Sequence, residues 1–280
     1  MYHNVALSGG GAHVLAFVGC LRVLENEGML REVVQYVTSS AGSLLGLMMV
    51  LGNDLDKIER FVRTRVFGLE AMRINLKGVW NFVNTYGVDD GAELLALVEE
   101  ILRDGGMPKE VTFVELAKRT GKNLVVATAN VNRSQIEFMS LESSPDLEVR
   151  MAIRMSASVP LLYCPVKYKG DYYVDGLFFD NFPVNYFHGL LENTLGLNIV
   201  SHKKRIDTIW DFFRNLFAGT VQTHSRIVDH SRTKICEIDC SDVENFDVAK
   251  MRFSVDQNNM EALLRKGEES AKTFLLDGVV

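Results

Sequence analysis

Apolar residues along the first fifty positions alternate between two periods. Asn4–Ser8 is a short continuous apolar run, the mark of a strand buried on both faces. Val14, Leu15, Phe17, Val18, Leu21 and Leu24 then follow helical spacing, with Arg22, Glu25 and Asn26 off that face, and Gly28 ends the helix. Val33–Val37 predicts a second strand. Ala41–Leu51 is apolar nearly all round, as a buried helix is, and Gly52 closes it. This strand–loop–helix alternation predicts an α/β fold of three layers, α/β/α, with a mostly parallel central sheet and helices on both faces.

Further along, Leu55, Ile58, Phe61 and Val62 mark a third helix, and Ala92–Arg103 an amphipathic one. Thr112 and Glu115 have the spacing of a capping box. Leu124–Ala129 reads as a buried strand with Gln135–Met139 pairing to it. Val166–Lys169 and Tyr172–Val174 read as a hairpin turning at Gly170, and Leu195–Val200 as one more strand. Residues 66–90, with Trp80, Phe82 and Tyr86, fit no regular pattern and suit a flap over a site. All five prolines lie between Pro108 and Pro183. With no repeat, linker or low-complexity segment, residues 1–280 read as a single domain.

The net charge of −6 argues against a nucleic-acid partner. No apolar run approaches the ~18 residues of a membrane-spanning helix, and no secretory leader is visible, so a cytoplasmic location is expected. Cys20, Cys164, Cys236 and Cys240 lack zinc spacing. Cys236 and Cys240 share a strand face, but two further ligands cannot be placed, and buried thiols are the plainer reading. No metal and no cofactor are expected. Residues 203–234 form a basic, aromatic-rich island in an acidic chain. Two readings stand for it: a membrane-facing surface, or a helix packing Trp210, Phe213 and Phe217 on the core.

Two strand-to-helix turns carry the chemistry. Ser8-Gly9-Gly10-Gly11 lets backbone N–H groups crowd one point, because no Cβ intervenes. It lacks the sixth glycine of a dinucleotide fingerprint and the lysine of a phosphate loop. Thr38-Ser39-Ser40-Ala41-Gly42 is a nucleophile elbow whose first glycine is replaced by threonine. Tyr173-Val174-Asp175-Gly176 ends an apolar strand on a carboxylate whose setting would raise its pKa. His188, His202, His224 and His230 follow Ser40, but none sits in a recognisable motif.

From about Asn4 to Val200 the chain resembles the patatin-like phospholipases, in four blocks in the family's order. These are Gly9-Gly10-Gly11-Ala12 through Gly19, Ser39-Ser40-Ala41-Gly42-Ser43, Arg154-Met155-Ser156-Ala157-Ser158-Val159-Pro160 with Pro165-Val166, and Asp175-Gly176 with Asn181, Pro183 and Val184. On this resemblance residues 201–280 would be a carboxy-terminal extension of the motif-bearing core. The resemblance implies a Ser40–Asp175 dyad, an oxyanion hole from Gly9, Gly10, Gly11 and the amide of Ala41, and metal-free hydrolysis of acyl esters in phospholipids or related lipids. It also implies lipid or acyl-ester partners met at a membrane periphery. His13, Val14, Thr38 and Leu177 depart from the family pattern. Thr38 is expected to crowd the elbow. Two other functions share these residues: an acyltransferase or thioesterase using the same serine, and an inactive relative that binds lipid or protein.

Overall fold

The computed structural model describes residues 2–66, 82–200, 234–243 and 256–277. Its main sheet has eight strands. Seven run in the order β10 (Lys234–Asp239), β9 (Thr194–Val200), β1 (Asn4–Leu7), β2 (Gln35–Ser39), β4 (Asn123–Asn130), β8 (Asp171–Asp175), β7 (Val166–Tyr168), and β5 (Gln135–Met139) also pairs with β4. From β10 to β4 the pairing is parallel; β5, β8 and β7 add antiparallel edges. A separate parallel pair joins β3 (Gly87–Asp89) to β6 (Leu161–Tyr163). The expected hairpin thus turns at Lys169-Gly170, and the expected second strand lies two residues later, at Gln35–Ser39.

Alternation along β1, β2 and β4 sends side chains to two cores. Val5, Leu7, Tyr36, Leu124 and Val126 join the larger one with α1 (Leu15–Asn26), α2 (Gly42–Val50), α3 (Leu55–Phe61), α4 (Ala92–Asp104), α5 (Phe113–Thr120) and α6 (Val149–Ser156). Ala6, Val37 and Val125 face the other way, against Val184 and Phe187 of the 3₁₀ turn Pro183–Phe187. Every residue of α2 is buried, which is why its sequence shows no polar face. The Thr112–Glu115 capping box forms at the start of α5.

The carboxy-terminal segments complete this architecture. β10 adds an edge strand beside β9, and α7 (Gln257–Asp277) packs along α1. A Cβ on Gly19 would strike the Leu264 carbonyl, and one on Gly267 would strike the Ala16 carbonyl and lie 2.8 Å from Cys20 N. The two helices cross as closely as their backbones allow. Cys20 Sγ lies 3.6 Å from Cys236 Sγ, and this contact, reinforced by burial, pushes the Cys20 thiol pKa up. Among the described residues no group of three or more His, Cys, Asp or Glu could hold a metal ion. No described helix is long and apolar enough to cross a membrane. The basic island lies outside the described residues up to position 233, as does residue 67–81 of the expected flap.

Candidate active site

Strand order reverses at β1: the chain goes from β1 to β2 and β4 on one side, and returns with β9 on the other. Such a switch point is where open parallel sheets leave a crevice beyond their strand ends. The glycine loop follows β1 at this crevice, and the elbow follows β2 beside it.

Ser40 sits at the turn between β2 and α2 with φ +52°, a left-handed conformation that a serine adopts only under constraint. Gly42 makes the turn fit, since a Cβ there would lie 2.5 Å from the Ser8 carbonyl. Ser40 Oγ donates to Asp175 Oδ2 at 2.6 Å, across 135 residues of chain. Asp175 is fully buried at the end of β8. Its Oδ1 accepts the Leu177 N–H at 2.9 Å. Burial raises its pKa to about 7, against the opposing pull of the Ser40 and Leu177 hydrogen bonds. The carboxyl group is therefore poised to gain and lose a proton near neutral pH.

The glycine loop divides its labour. A Cβ on Gly9 would sit 2.9 Å from Ser40 Cβ, so glycine is what lets the two loops meet. The Gly9 N–H, however, donates to the Asn181 carbonyl at 3.0 Å, and Asn181 Nδ2 returns a bond to the Gly9 carbonyl at 3.3 Å. The expectation that Gly9 offers an oxyanion donor is thus corrected: its amide is already engaged. The N–H groups of Gly10, Gly11 and Ala41 have no acceptor among the described residues. Gly11 takes φ +54°, which opens the 3₁₀ turn Gly11–Val14. Ile199 of β9 packs on Gly10, where a Cβ would come within 2.7 Å of its Cδ1. Ser8 Oγ accepts the Ile199 N–H at 2.9 Å, fixing the loop to β9.

Helix α6 supplies what the motif reading had not assigned. Ser156 Oγ accepts the Ser40 N–H at 2.9 Å, and the Ser158 carbonyl accepts the Asp175 N–H at 2.9 Å. One helix end therefore ties down both Ser40 and Asp175. Buried Arg154 braces that end. Its guanidinium donates to Ser158 Oγ, to the Asp90 carbonyl at 2.8 Å and to the Cys164 carbonyl at 3.1 Å.

The departures from the family pattern fit without disturbing this geometry. Thr38 points away from the crevice into α2. Its methyl meets the bare face of Gly46, its Oγ1 lies 2.9 Å from Ser43 Oγ, and it donates to the Val125 carbonyl at 3.1 Å. Ser43 Oγ in turn lies 3.4 Å from Ser156 Oγ. The expected crowding is absent, because the missing Cβ of Gly46 makes the space. Leu177 acts through its amide, and Val14 is core. His13 Nε2 is 2.8 Å from the Val243 carbonyl. The side chain of Asp175 has Ser40 and the Leu177 amide as its partners; His188 lies exposed, and His202, His224 and His230 fall outside the described residues.

A strained serine at a strand-to-helix turn, bonded to a buried carboxyl group beside a glycine loop, is the geometry that a nucleophile elbow takes in an α/β protein. The model of the patatin-like phospholipase family matches residues 5–188, and the chain belongs to that family. It is 25% identical to protein R571 of Acanthamoeba polyphaga mimivirus, over 98% of this chain and 93% of that one. It is also 25% identical to a probable lipid hydrolase, 463L, of Invertebrate iridescent virus 6, over 66% of this chain but only 62% of the relative's length. In fold it is similar to VipD of Legionella pneumophila (TM-score 0.59, 15% identity, 99% of this chain and 67% of that one). It is likewise similar to human GIVD cytosolic phospholipase A2 (TM-score 0.54, 12% identity, 97% and 59%). Family and relatives together support lipid hydrolase activity.

Proposed function

We propose that residues 1–280 work as one catalytic domain, a serine acyl hydrolase that cleaves fatty-acyl esters of phospholipids or related lipids through a Ser40–Asp175 dyad. The observation that carries this is the 2.6 Å hydrogen bond from Ser40 Oγ to a buried Asp175 carboxylate, set beside backbone N–H groups that have no acceptor among the described residues. Asp175 takes the proton of Ser40 as Oγ attacks the ester carbonyl carbon. The carbonyl oxygen becomes an oxyanion and is held by the N–H groups of Gly10, Gly11 and Ala41. Collapse expels the alcohol, which receives the proton from Asp175, and leaves an acyl group on Ser40. A water molecule then attacks the acyl carbon while Asp175 takes its proton, and collapse returns that proton to Ser40 and releases the fatty acid. The substrate reaches this site from a membrane periphery, in keeping with a lipid ester as substrate.

A fluorophosphonate probe tests the assignment, since it reacts with activated serines. Labelling is expected in the native protein and lost in Ser40→Ala and in Asp175→Asn, with both variants folded by circular dichroism. Undiminished labelling of Ser40→Ala would overturn the nucleophile. A single histidine variant that abolishes labelling would replace the dyad by a triad.

A further inference from the structure

Six large apolar side chains stand exposed among the described residues, and two of them, Tyr86 and Val131, meet Tyr172 of the β7–β8 hairpin. Val83 and Tyr86 are one helical turn apart, with the Tyr86 N–H donating to the Phe82 carbonyl at 2.8 Å. Tyr86 meets Tyr172 edge to face at 5.9 Å between ring centroids. Tyr172 accepts the Val131 N–H at 2.9 Å through its carbonyl. The Lys167 ammonium stands 5.7 Å over the Tyr172 ring, and that of Lys169 5.1 Å over the Tyr168 ring.

The charges here run against the rest of the chain, whose net charge is −6. Lys167 and Lys169 have no carboxylate partner among the described residues. The nearby carboxylates, Asp171 and Glu137, are taken up by Arg133, Asn130 and Tyr173. Backbone geometry adds to the case. Lys169 and Gly170 form a two-residue turn with φ +49° and +94°, where asparagine–glycine is the favoured pair. Tyr86 is likewise held at φ +58°. Both residues are exposed and occupy the left-handed region that their side chains disfavour.

The patch also lies at the working end of the sheet. β4 runs parallel to β2, so its last residues pass beyond the Ser40 end, and Asn130 there pairs with Tyr173. Tyr172 precedes Asp175 by three residues of the same strand, roughly 10 Å.

We propose that Val83, Tyr86, Val131, Tyr172, Lys167 and Lys169 form the surface by which this protein rests on an anionic lipid bilayer, with the Ser40 crevice facing the same bilayer. Tyrosines suit the headgroup level, where an apolar ring and a polar hydroxyl are both accommodated. Valines reach below it, and the lysines meet anionic headgroups. The orientation of the crevice rests on the hydrolase reading; the surface itself does not.

Flotation with vesicles of phosphatidylcholine, alone or mixed with phosphatidylserine, tests it. Native protein and Ser40→Ala are expected to bind the anionic vesicles equally and the neutral ones less. Lys167→Glu with Lys169→Glu is expected to lower anionic-vesicle binding at least ~10-fold, as the loss of two basic contacts implies. Val83→Ser with Tyr86→Ser is expected to weaken binding to both compositions. Hydrolysis of a soluble short-chain ester should stay at the native level in both double variants. Native-level vesicle binding by both would place lipid contact elsewhere and overturn the proposal. So would failure of the native protein to bind either vesicle, which would make the patch a protein-facing surface. Patch-dependent binding without ester hydrolysis would leave the surface standing and remove the hydrolase reading.

Discussion

Ser156 holds the main-chain amide of Ser40 through its side-chain hydroxyl, at 2.9 Å and across 116 residues of chain. The amide belongs to a residue at φ +52°, so this bond offsets part of a strained turn. Ser156→Ala leaves a buried N–H unsatisfied and frees the turn to relax. The expected outcome in steady-state ester hydrolysis is a kcat lower by roughly 10–100-fold, as nucleophile misplacement of ~1 Å produces, with KM near native. A lowered melting temperature with native kcat would make Ser156 merely structural.

Thr38→Gly is expected to harm the protein. It removes a buried hydroxyl that the Val125 carbonyl and Ser43 use, leaves a gap against Gly46, and adds freedom to the unfolded chain. Together these should cost about 2–4 kcal/mol of stability, read by chemical denaturation, with a lower kcat. Thr38→Ser, which keeps the hydroxyl, should retain more of both. A higher kcat in Thr38→Gly would restore the view that threonine crowds the elbow.

Asp175 links activity and stability to pH with opposite signs. Its pKa is about 7 in the folded protein and near 3.8 when exposed. Between these values the folded state holds a proton that the unfolded state has lost, so stability contributed by the neutral form declines as pH rises through about 7. Asp175→Asn abolishes the charge, and its melting temperature should exceed the native one by more at pH 8 than at pH 5. On the proposed dyad, hydrolysis by the native protein should rise with pH through about 7, because Asp175 must be ionised to accept the Ser40 proton. Equal melting differences at both pH values would contradict the raised pKa.

Gly267→Ala probes the crossing of α1 and α7. Its methyl would meet the Ala16 carbonyl and Cys20 N, which are backbone and cannot swing aside. A loss of about 1–3 kcal/mol or more is expected, as for other overpacked contacts, whereas Gly189→Ala, with open space around it, should melt as the native protein does. A native-like melt for Gly267→Ala would show that the helices can separate without cost.

What the residue pattern revealed was local. A strand running into Gly9-Gly10-Gly11, or into Ser39-Ser40-Ala41-Gly42, announces its turn within a few residues, and β1, α1 and α2 could be placed from such signals. Asp175 was legible because a carboxylate ending an apolar strand needs a reason. The engagement of Gly9 by Asn181, and of the Ser40 amide by Ser156, was not legible, because each bond joins segments that periodicity treats separately. The fit of Thr38 is hidden from the sequence for the same reason: the space it occupies is made by Gly46, in the helix that follows. Gly267 gave no sign at all, since a glycine within a helix declares its purpose only when its neighbour is known.

The position of β9 has a consequence for how the protein comes into being. The glycine loop is clasped by Ile199, and β1 lies between a partner that follows it closely, β2, and one that comes some 190 residues later. Pairings so distant in sequence form late, because a long stretch of chain must be ordered before they repay the closure entropy. An emerging chain would carry Ser40 long before the glycine loop beside it is held in place. A fragment ending at residue 188, where the family match ends, should therefore fail to react with a fluorophosphonate although Ser40 and Asp175 are both present. Full labelling of that fragment would show that the loop needs no clasp. Otherwise Ser40 is born inert and becomes reactive only once β9 has followed it and joined the sheet.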